Sequence, residues 1–369
     1  MACPGSVGSV PWHATCLRRR SVIVAPSRWQ SPGPRKTAMT EPFPSLRRRK
    51  LLRTGLGAGA SLLAAPPVLG QPAWPTRPIR WIINFPPGGA ADTLSRVLAE
   101  QIGGSLGQPI VPENRPGAGG MVGADIVAKA RGDAHVVMMS SGASHGTGPV
   151  LYRNVPYDAL ADFTHLHLVG TFACVLAVNT DLPVRNVAEF VALAKTRPLS
   201  YGSGGNGTLN HLSGQLLARD AGIPLEHIPN RGSAAAMTDT MGGQIPCLFE
   251  SLPIVLPHLQ ANRLRPIAVT GPERDATLPG VPTFAEAGFP GVTTVSWFGF
   301  SAAAGIPDAV SDRWQDVIGG ALRTDFVKER FARIGVAPGT LDRAGYTALV
   351  RDELARWKPV IQEAGIRAD

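Results

Sequence analysis

The chain has 369 residues, 44% hydrophobic and 17% charged, with a mean hydropathy of +0.05, a composition that excludes both a disordered solvating chain and a multi-span membrane protein. The formal charge of +9 is uneven: residues 1–71 hold 11 of the 36 Lys and Arg against one acid, Glu41, and the remainder holds 25 basic and 26 acidic side chains. The body of the protein has no positive excess with which to bind nucleic acid or anionic lipid, and the length predicts two domains or one large α/β unit with an appendage.

Arg47, Arg48, Arg49 and Lys50 precede Leu51, Leu52, a Gly/Ala/Leu stretch over residues 54–65 and small residues around Gly70. Basic, apolar and small segments in that order read as a secretory signal, too short and too Gly/Ala-rich to span a bilayer. Arg48 and Arg49 with Lys50, Leu51, Leu52 and Arg53 are similar to a twin-arginine export signal, although Arg47 stands where Ser or Thr is usual; an ordinary Sec signal is the alternative. Residues 1–70 are therefore expected to be a leader cleaved after Gly70, with residues 1–38 an over-long start before Met39, and the mature chain is expected in the periplasm. Of the four cysteines, Cys174 and Cys247 remain after cleavage. Both sit in apolar runs, where a buried free thiol is commoner than a disulfide even in an oxidising compartment.

Along the mature chain, residues 79–85 read as a strand ended by Pro86, Pro87, Gly88 and Gly89, after which Leu94, Val97, Leu98 and Ile102 recur at helical spacing. The same unit repeats at 110–113, Arg115 to Gly120 and 121–130, and again at 136–140 leading into Ser141 and His145. A second set follows: strands at 174–178, 199–201, 225–228, 245–249 and 264–269, with helices at 187–194, 209–221, 233–241 and 254–259. Alternation of this kind predicts an α/β architecture on parallel sheets. Beyond an apolar run at 292–300, helices are expected at 308–322, 325–334 and 341–363, the last with Tyr346, Val350, Leu354, Trp357 and Ile361 on one face and Pro359 bending its final turns.

Two glycine-rich turns between strand and helix have the chemistry of anion sites, because exposed N–H groups and the helix dipole converge there and glycine permits close approach. The first runs from Phe85 and Pro86 through Gly89 and Ala90 to Asp92, whose carboxyl would either cap the helix or meet a cationic part of a ligand. The second runs from Ser203 and Gly204 through Gly207 to Thr208. Gly202, Gly204 and Gly207 also satisfy a dinucleotide fingerprint, but the preceding strand is short and polar and Glu226 begins rather than ends the next one, so the ribose contact would be misplaced. No nucleophile elbow, metal-binding spacing or phosphate-binding lysine loop is present. His145 and His211 would either donate to a ligand or make structural hydrogen bonds. Arg231, Gly232 and Ser233 open a helix and are read as an anion contact over a solvated turn. Glu250 would face an inter-domain cleft or cap a helix, and Trp297 and Phe298 are read as core packing.

These residues together resemble the Bug family. The resemblance rests on Arg77-Pro78-Ile79-Arg80, Pro86-Pro87-Gly88-Gly89, the string from Glu113 to Gly120, Tyr201 to Gly207, Leu278 to Thr283 with Glu286-Ala287-Gly288, and Trp297-Phe298-Gly299. These are extracytoplasmic substrate-binding proteins of the tripartite tricarboxylate transporter type. The resemblance implies an α/β, periplasmic-binding-protein-like fold of two lobes joined by two hinge strands, with the ligand in the inter-lobe cleft. It places residues 71–174 and 299–369 in lobe 1 and 175–298 in lobe 2, with crossings near 174–179 and 295–299. It implies a small organic carboxylate as ligand, membrane transporter subunits as partners, no cofactor, and a soluble, monomeric mature chain without catalysis. Carried over by position, the ligand contacts are Phe85, Pro86, Gly89, Ala90, Asp92, Ser141, His145, Ser203, Gly204, Gly207, Thr208 and His211, extended to Arg231, Gly232, Ser233 and Glu250. The chain departs from the family pattern at residues 131–135, at Asn230, where Tyr is common, and at Glu250, where Asp or Asn is usual. The last two border the ligand, so the resemblance does not transfer substrate identity. A sensor subunit with the same ligand class is the alternative function, and an enzyme the third.

Overall fold

In the computed structural model, which describes residues 74–363, strand and helix alternate as the periodicity predicts. The expected leader, its cleavage point and the start at Met39 lie outside the described residues. The chain runs β1 (Ile79–Ile83), α1 (Ala90–Ile102), β2 (Ile110–Asn114), α2 (Met121–Ala128), β3 (Val136–Ser141), α3 (Gly148–Leu151) and β4 (Phe163–Phe172). It continues with β5 (Cys174–Asn179), α4 (Val187–Thr196), β6 (Leu199–Ser203), α5 (Leu209–Ala221), β7 (Leu225–Pro229), α6 (Ser233–Met241), β8 (Cys247–Ser251), α7 (Leu252–Gln260) and β9 (Leu264–Val269). The last part holds β10 (Ser296–Ala303), α8 (Asp308–Arg323), α9 (Asp325–Arg333), β11 (Ala337–Pro338) and α10 (Arg343–Glu363).

The strands form two sheets, in the orders β11-β4-β10-β3-β1-β2 and β7-β6-β8-β5-β9. Both are mixed, which corrects the expectation of parallel sheets. β1 pairs in parallel with β2 and β3, and β6 with β7 and β8, as βαβ units require, but β10 is antiparallel to β3 and β4, and β5 to β8 and β9. The reason is the direction of travel. Strands of the βαβ units end at the loops between the sheets, whereas β5 and β10 start there, having just arrived from the other sheet.

The polar residues Thr164, His165 and His167 hide β4 from sequence periodicity, and the structure shows why they are tolerated. The His165 ring bonds the Ser301 hydroxyl at 3.1 Å and the Ala159 carbonyl at 2.9 Å, and the His167 ring bonds the Leu168 carbonyl at 2.7 Å. β3, β5 and β10 are buried along their whole length, as expected of central strands covered on both faces. On the first sheet Trp81 meets Phe300 edge-on at 4.9 Å between centroids, Trp314 of α8 lies tilted against Phe300 at 4.8 Å, and α1 adds Leu94, Leu98 and Ile102 to the same core. Burying each such side chain contributes roughly 1.5–3 kcal/mol.

Only Ala173 separates β4 from β5, and the chain returns at Ser296. Ser296, Trp297 and Phe298 thus pair within the first sheet, a few residues ahead of the expected boundary at 299. The two crossings are tied together: the Cys174 N–H donates to Thr270 Oγ1 at 3.0 Å, and that hydroxyl donates to the Thr294 carbonyl at 2.8 Å. Cys174 and Cys247 are free and buried. The last helix packs Tyr346 and Val350 against Leu168 and Trp297, while its Trp357 and Ile361 join the core of the second sheet with Leu209 and Leu212. It therefore spans both halves instead of belonging to lobe 1 alone, and it continues past Pro359 to Glu363.

Candidate functional site

A cavity of about 90 Å³ lies between the two sheets, room for several waters at roughly 10–15 Å³ each, or for one small organic molecule. From the first sheet its walls are the β1–α1 loop with Phe85, Pro86, Gly89 and Ala90, the end of β3 at Ser141 and Gly142, Phe172, and the start of β10 at Ser296, Trp297 and Phe298. From the second they are Gly204, Thr208 and Asn210, the turn from Arg231 to Ala234, and Ser251. A second cavity of about 370 Å³ shares Phe85, Pro86, Gly204, Arg231 and Gly232 with it and is lined further by Tyr152 and Asn206.

The N-cap residues of four helices meet on this cavity: Gly89 of α1, Thr208 of α5, Gly232 of α6 and Ser251 of α7. Three of the four, Gly89, Gly232 and Ser251, make no side-chain capping bond, so first-turn N–H groups are left for something else to satisfy. Each N-terminus carries partial positive charge. Among the described residues Arg231 is the one charged side chain on the cavity wall, and it has no ion-pair partner among them. The charged and dipolar groups on the wall are therefore electropositive, and no described carboxylate lines the cavity. Gly232 has to be glycine here: its φ is +107°, and a Cβ would lie 3.0 Å from Pro86 Cγ across the cleft.

Of the expected ligand contacts, Phe85, Pro86, Gly89, Ala90, Ser141, Gly204, Thr208, Arg231, Gly232 and Ser233 line the cavity. Asp92, His145, Ser203, Gly207, His211 and Glu250 are not among its lining residues. Asp92 holds the first loop in shape, accepting from the Gly88 N–H at 3.1 Å, from Arg96 at 3.0 Å and from Asn114 at 3.1 Å. Burial opposes its charge, but these bonds, that to Arg96 foremost, hold its pKa below the usual value. The His145 ring bonds the Ser144 hydroxyl at 2.9 Å and packs edge-on against Phe163, and burial, with His165 nearby, keeps it neutral.

Ser203 Oγ lies 2.7 Å from His227 Nε2, so its hydroxyl is engaged inside the second lobe. The His211 ring stacks on His227 at 4.0 Å and its Nδ1 accepts from the Gly207 N–H at 3.3 Å; burial pushes its pKa down to about 4. Gly207 is occupied in a contact across the cleft, its carbonyl accepting the Thr147 hydroxyl at 2.6 Å. Glu250 sits behind the wall, buried, where desolvation raises its pKa to about 7. Sequence reasoning missed Asn210, Ser251, Phe172 and Ser296 as wall residues. Trp297 and Phe298, read as core, are indeed buried, at 3% and 7% exposure, yet they also line the cavity. The signal that could have found Asn210 and Ser251 is their place beside a predicted helix start.

Three kinds of comparison bear on this geometry. The family model described as "TctC: Tripartite tricarboxylate transporter family receptor" matches residues 94–366. Protein BugT of Bordetella pertussis is 33% identical over 322 residues, covering 86% of this chain and 98% of BugT. Among solved structures, Rpa4515 of R. palustris with adipate is 33% identical with a TM-score of 0.77, covering 80% of this chain and 99% of its own. MatC (Rpa3494) from Rhodopseudomonas palustris with bound malate is 27% identical with a TM-score of 0.74, covering 78% and 100%.

Proposed function

Because the chain belongs to the tripartite tricarboxylate transporter receptor family, we propose that it is an exported, periplasmic receptor that captures a small organic carboxylate between its lobes and delivers it to a tripartite tricarboxylate-type membrane transporter. The observation that carries the reading is the convergence of four helix N-termini and Arg231 on a cavity without a described lining carboxylate. A carboxylate there gains from each dipole and from charge-assisted bonds to the open N–H groups. The two similar structures hold adipate and malate, both dicarboxylates. No helix among the described residues is long and apolar enough to cross a membrane.

The contacts we assign to the ligand are the wall residues Gly89, Ala90, Ser141, Gly204, Thr208, Asn210, Arg231 and Ser233. Asp92, Ser203, His211 and Gly207 shape the loops that present them. The two sheets act as lobes that close about Ala173 and the return at Ser296, and capture proceeds without chemical conversion. A calorimetric screen of mono- and dicarboxylates tests the reading: at least one should bind and, at about 100 times its Kd, stabilise the protein by roughly 2.7 kcal/mol. Absence of binding to every acid, or binding of a cation or neutral sugar in its place, would overturn it. Loss of uptake of that acid on deleting the receptor, restored by re-expression, tests delivery to a transporter.

A further inference from the structure

Glu250 stands directly behind the ligand wall at 0% exposure. One carboxyl oxygen accepts from Asn210 Nδ2 at 2.8 Å and from the Ser251 N–H at 2.7 Å, while the other, Oε2, is buried without a hydrogen-bond partner. Asn210 and Ser251 line the cavity, as does Ser233. No cation among the described residues pairs with it.

The titratable groups on the elements packed around β8 leave Glu250 uncompensated. β5 offers Cys174, whose thiol burial pushes up to about 12 and which bonds Asn210 Oδ1 at 2.9 Å. β6 offers Tyr201, whose hydroxyl donates to the His211 carbonyl. α5 offers His211, neutral by burial, and at its far end Arg219 and Asp220, paired with each other at 2.8 Å. α6 carries Asp239, held by Asn230 at 2.7 Å, with Arg231 just ahead of the helix, and α7 carries His258 in its last turn. None of these is bonded to or paired with the carboxyl.

We propose that Glu250 takes up one proton from solvent when the carboxylate ligand binds, so that the receptor captures anion and proton together. The inference rests on the carboxylate reading of the cavity. The bonding pattern accommodates a neutral carboxyl: Oε1 accepts two hydrogen bonds, as a carbonyl oxygen can, and Oε2, which accepts none, is the oxygen left to carry the proton. Burial already favours the neutral form and brings its midpoint near 7. A ligand carboxylate entering in front of Asn210, Ser233 and Ser251 adds a like charge with little water between, which raises that midpoint further. Glu250 is thus a positioning residue that reaches the ligand through Asn210, and its charge state sets the affinity.

Titration calorimetry on the purified receptor, with the tightest-binding acid from a panel of mono- and dicarboxylates, tests this in pairs of buffers of different ionisation enthalpy. Proton uptake should be near zero at about pH 6, where Glu250 is already neutral, and approach one per ligand at about pH 8–9, with Kd weakening about tenfold per pH unit in that upper range. In Glu250→Gln both the uptake and the pH slope should vanish. Should that variant not fold, the infrared difference spectrum of the wild type serves: binding at about pH 8 should add the C=O stretch of a protonated carboxyl. Binding without proton uptake at any pH, or an unchanged slope in Glu250→Gln, overturns the proton inference and leaves the receptor reading intact. Failure of every acid to bind at every pH removes the receptor reading itself.

Discussion

The Thr147 hydroxyl donates a 2.6 Å hydrogen bond to the main-chain carbonyl of Gly207, joining the segment after β3 to the glycine loop before α5. Both partners are buried, and under the lobe closure proposed above the bond belongs to the closed state. Thr147→Val should leave the Gly207 carbonyl without a donor in the closed state alone, at about 1 kcal/mol or more. Calorimetry should then find Kd raised roughly fivefold or more, with Thr147→Ser close to wild type because it keeps the hydroxyl. Equal affinity in the Val variant would show that closure does not use this contact.

Gly89 is the N-cap of α1 with φ −82° and ψ 173°, and a Cβ there would meet nothing closer than the Pro86 carbonyl at 3.5 Å. Aspartate is a favoured N-cap residue, so Gly89→Asp should hold or slightly raise the stability of the ligand-free protein, by about a few tenths of a kcal/mol. The same carboxylate would occupy the electropositive floor of the cavity in place of the ligand. Thermal melts should therefore show a ligand-free Tm at or slightly above that of the wild type and no ligand-induced rise. A retained rise would place the anion elsewhere.

Burial lowers the pKa of His165 and His211 to about 4 and that of His145 well below its usual value. The unfolded chain binds these protons near pH 6.5 and the folded chain does not, so stability is full above about pH 6.5 and falls as pH drops toward 4, by roughly 3 kcal/mol for each of His165 and His211. Glu250 works in the opposite sense, its contribution lost as pH rises through about 7. Urea titrations of the ligand-free protein across this range should show the acid limb, and His165→Asn should flatten it. A stability independent of pH between these limits would contradict the buried, neutral assignment.

A methyl group on Gly299 in β10 would collide with the Tyr346 ring, which seats α10 on the sheet and bonds the Ser140 hydroxyl at 2.6 Å. Gly299→Ala should destabilise by about 1–3 kcal/mol through overpacking. Gly320, inside α8, has nothing within 4 Å of the place its methyl group would take and should behave oppositely, Gly320→Ala stabilising by about 0.5–1 kcal/mol. Denaturant midpoints of the two variants should move in opposite directions.

Local chemistry made much of the site readable before any fold was known. The turns at Gly88, Gly207 and Gly232 take φ of +78°, +76° and +107°, conformations that favour glycine whatever surrounds them, and each lies where a strand period gives way to a helix period. β4 is hidden because a strand carrying His165 and His167 does not alternate; its polar rings are satisfied by Ser301, far along the chain, and by the nearby Ala159 and Leu168 carbonyls.

By itself the sequence determined the two α/β sets, the glycine loops and the absence of positive excess in the body of the chain, because turn conformation, periodicity and charge are properties of neighbours along the chain. The tertiary structure decided which side chains face the cavity. Ser203, His145 and His211 share the loops of Gly204, Ser141 and Thr208 but are drawn inward by His227, Ser144 and Gly207, while Asn210, Ser251 and Trp297 reach the wall. It also decided that Glu250 lies behind that wall with no described cation beside it. Those outcomes depend on which helix start meets which strand end across two crossings, and a side chain's direction is set by partners that only packing brings within reach.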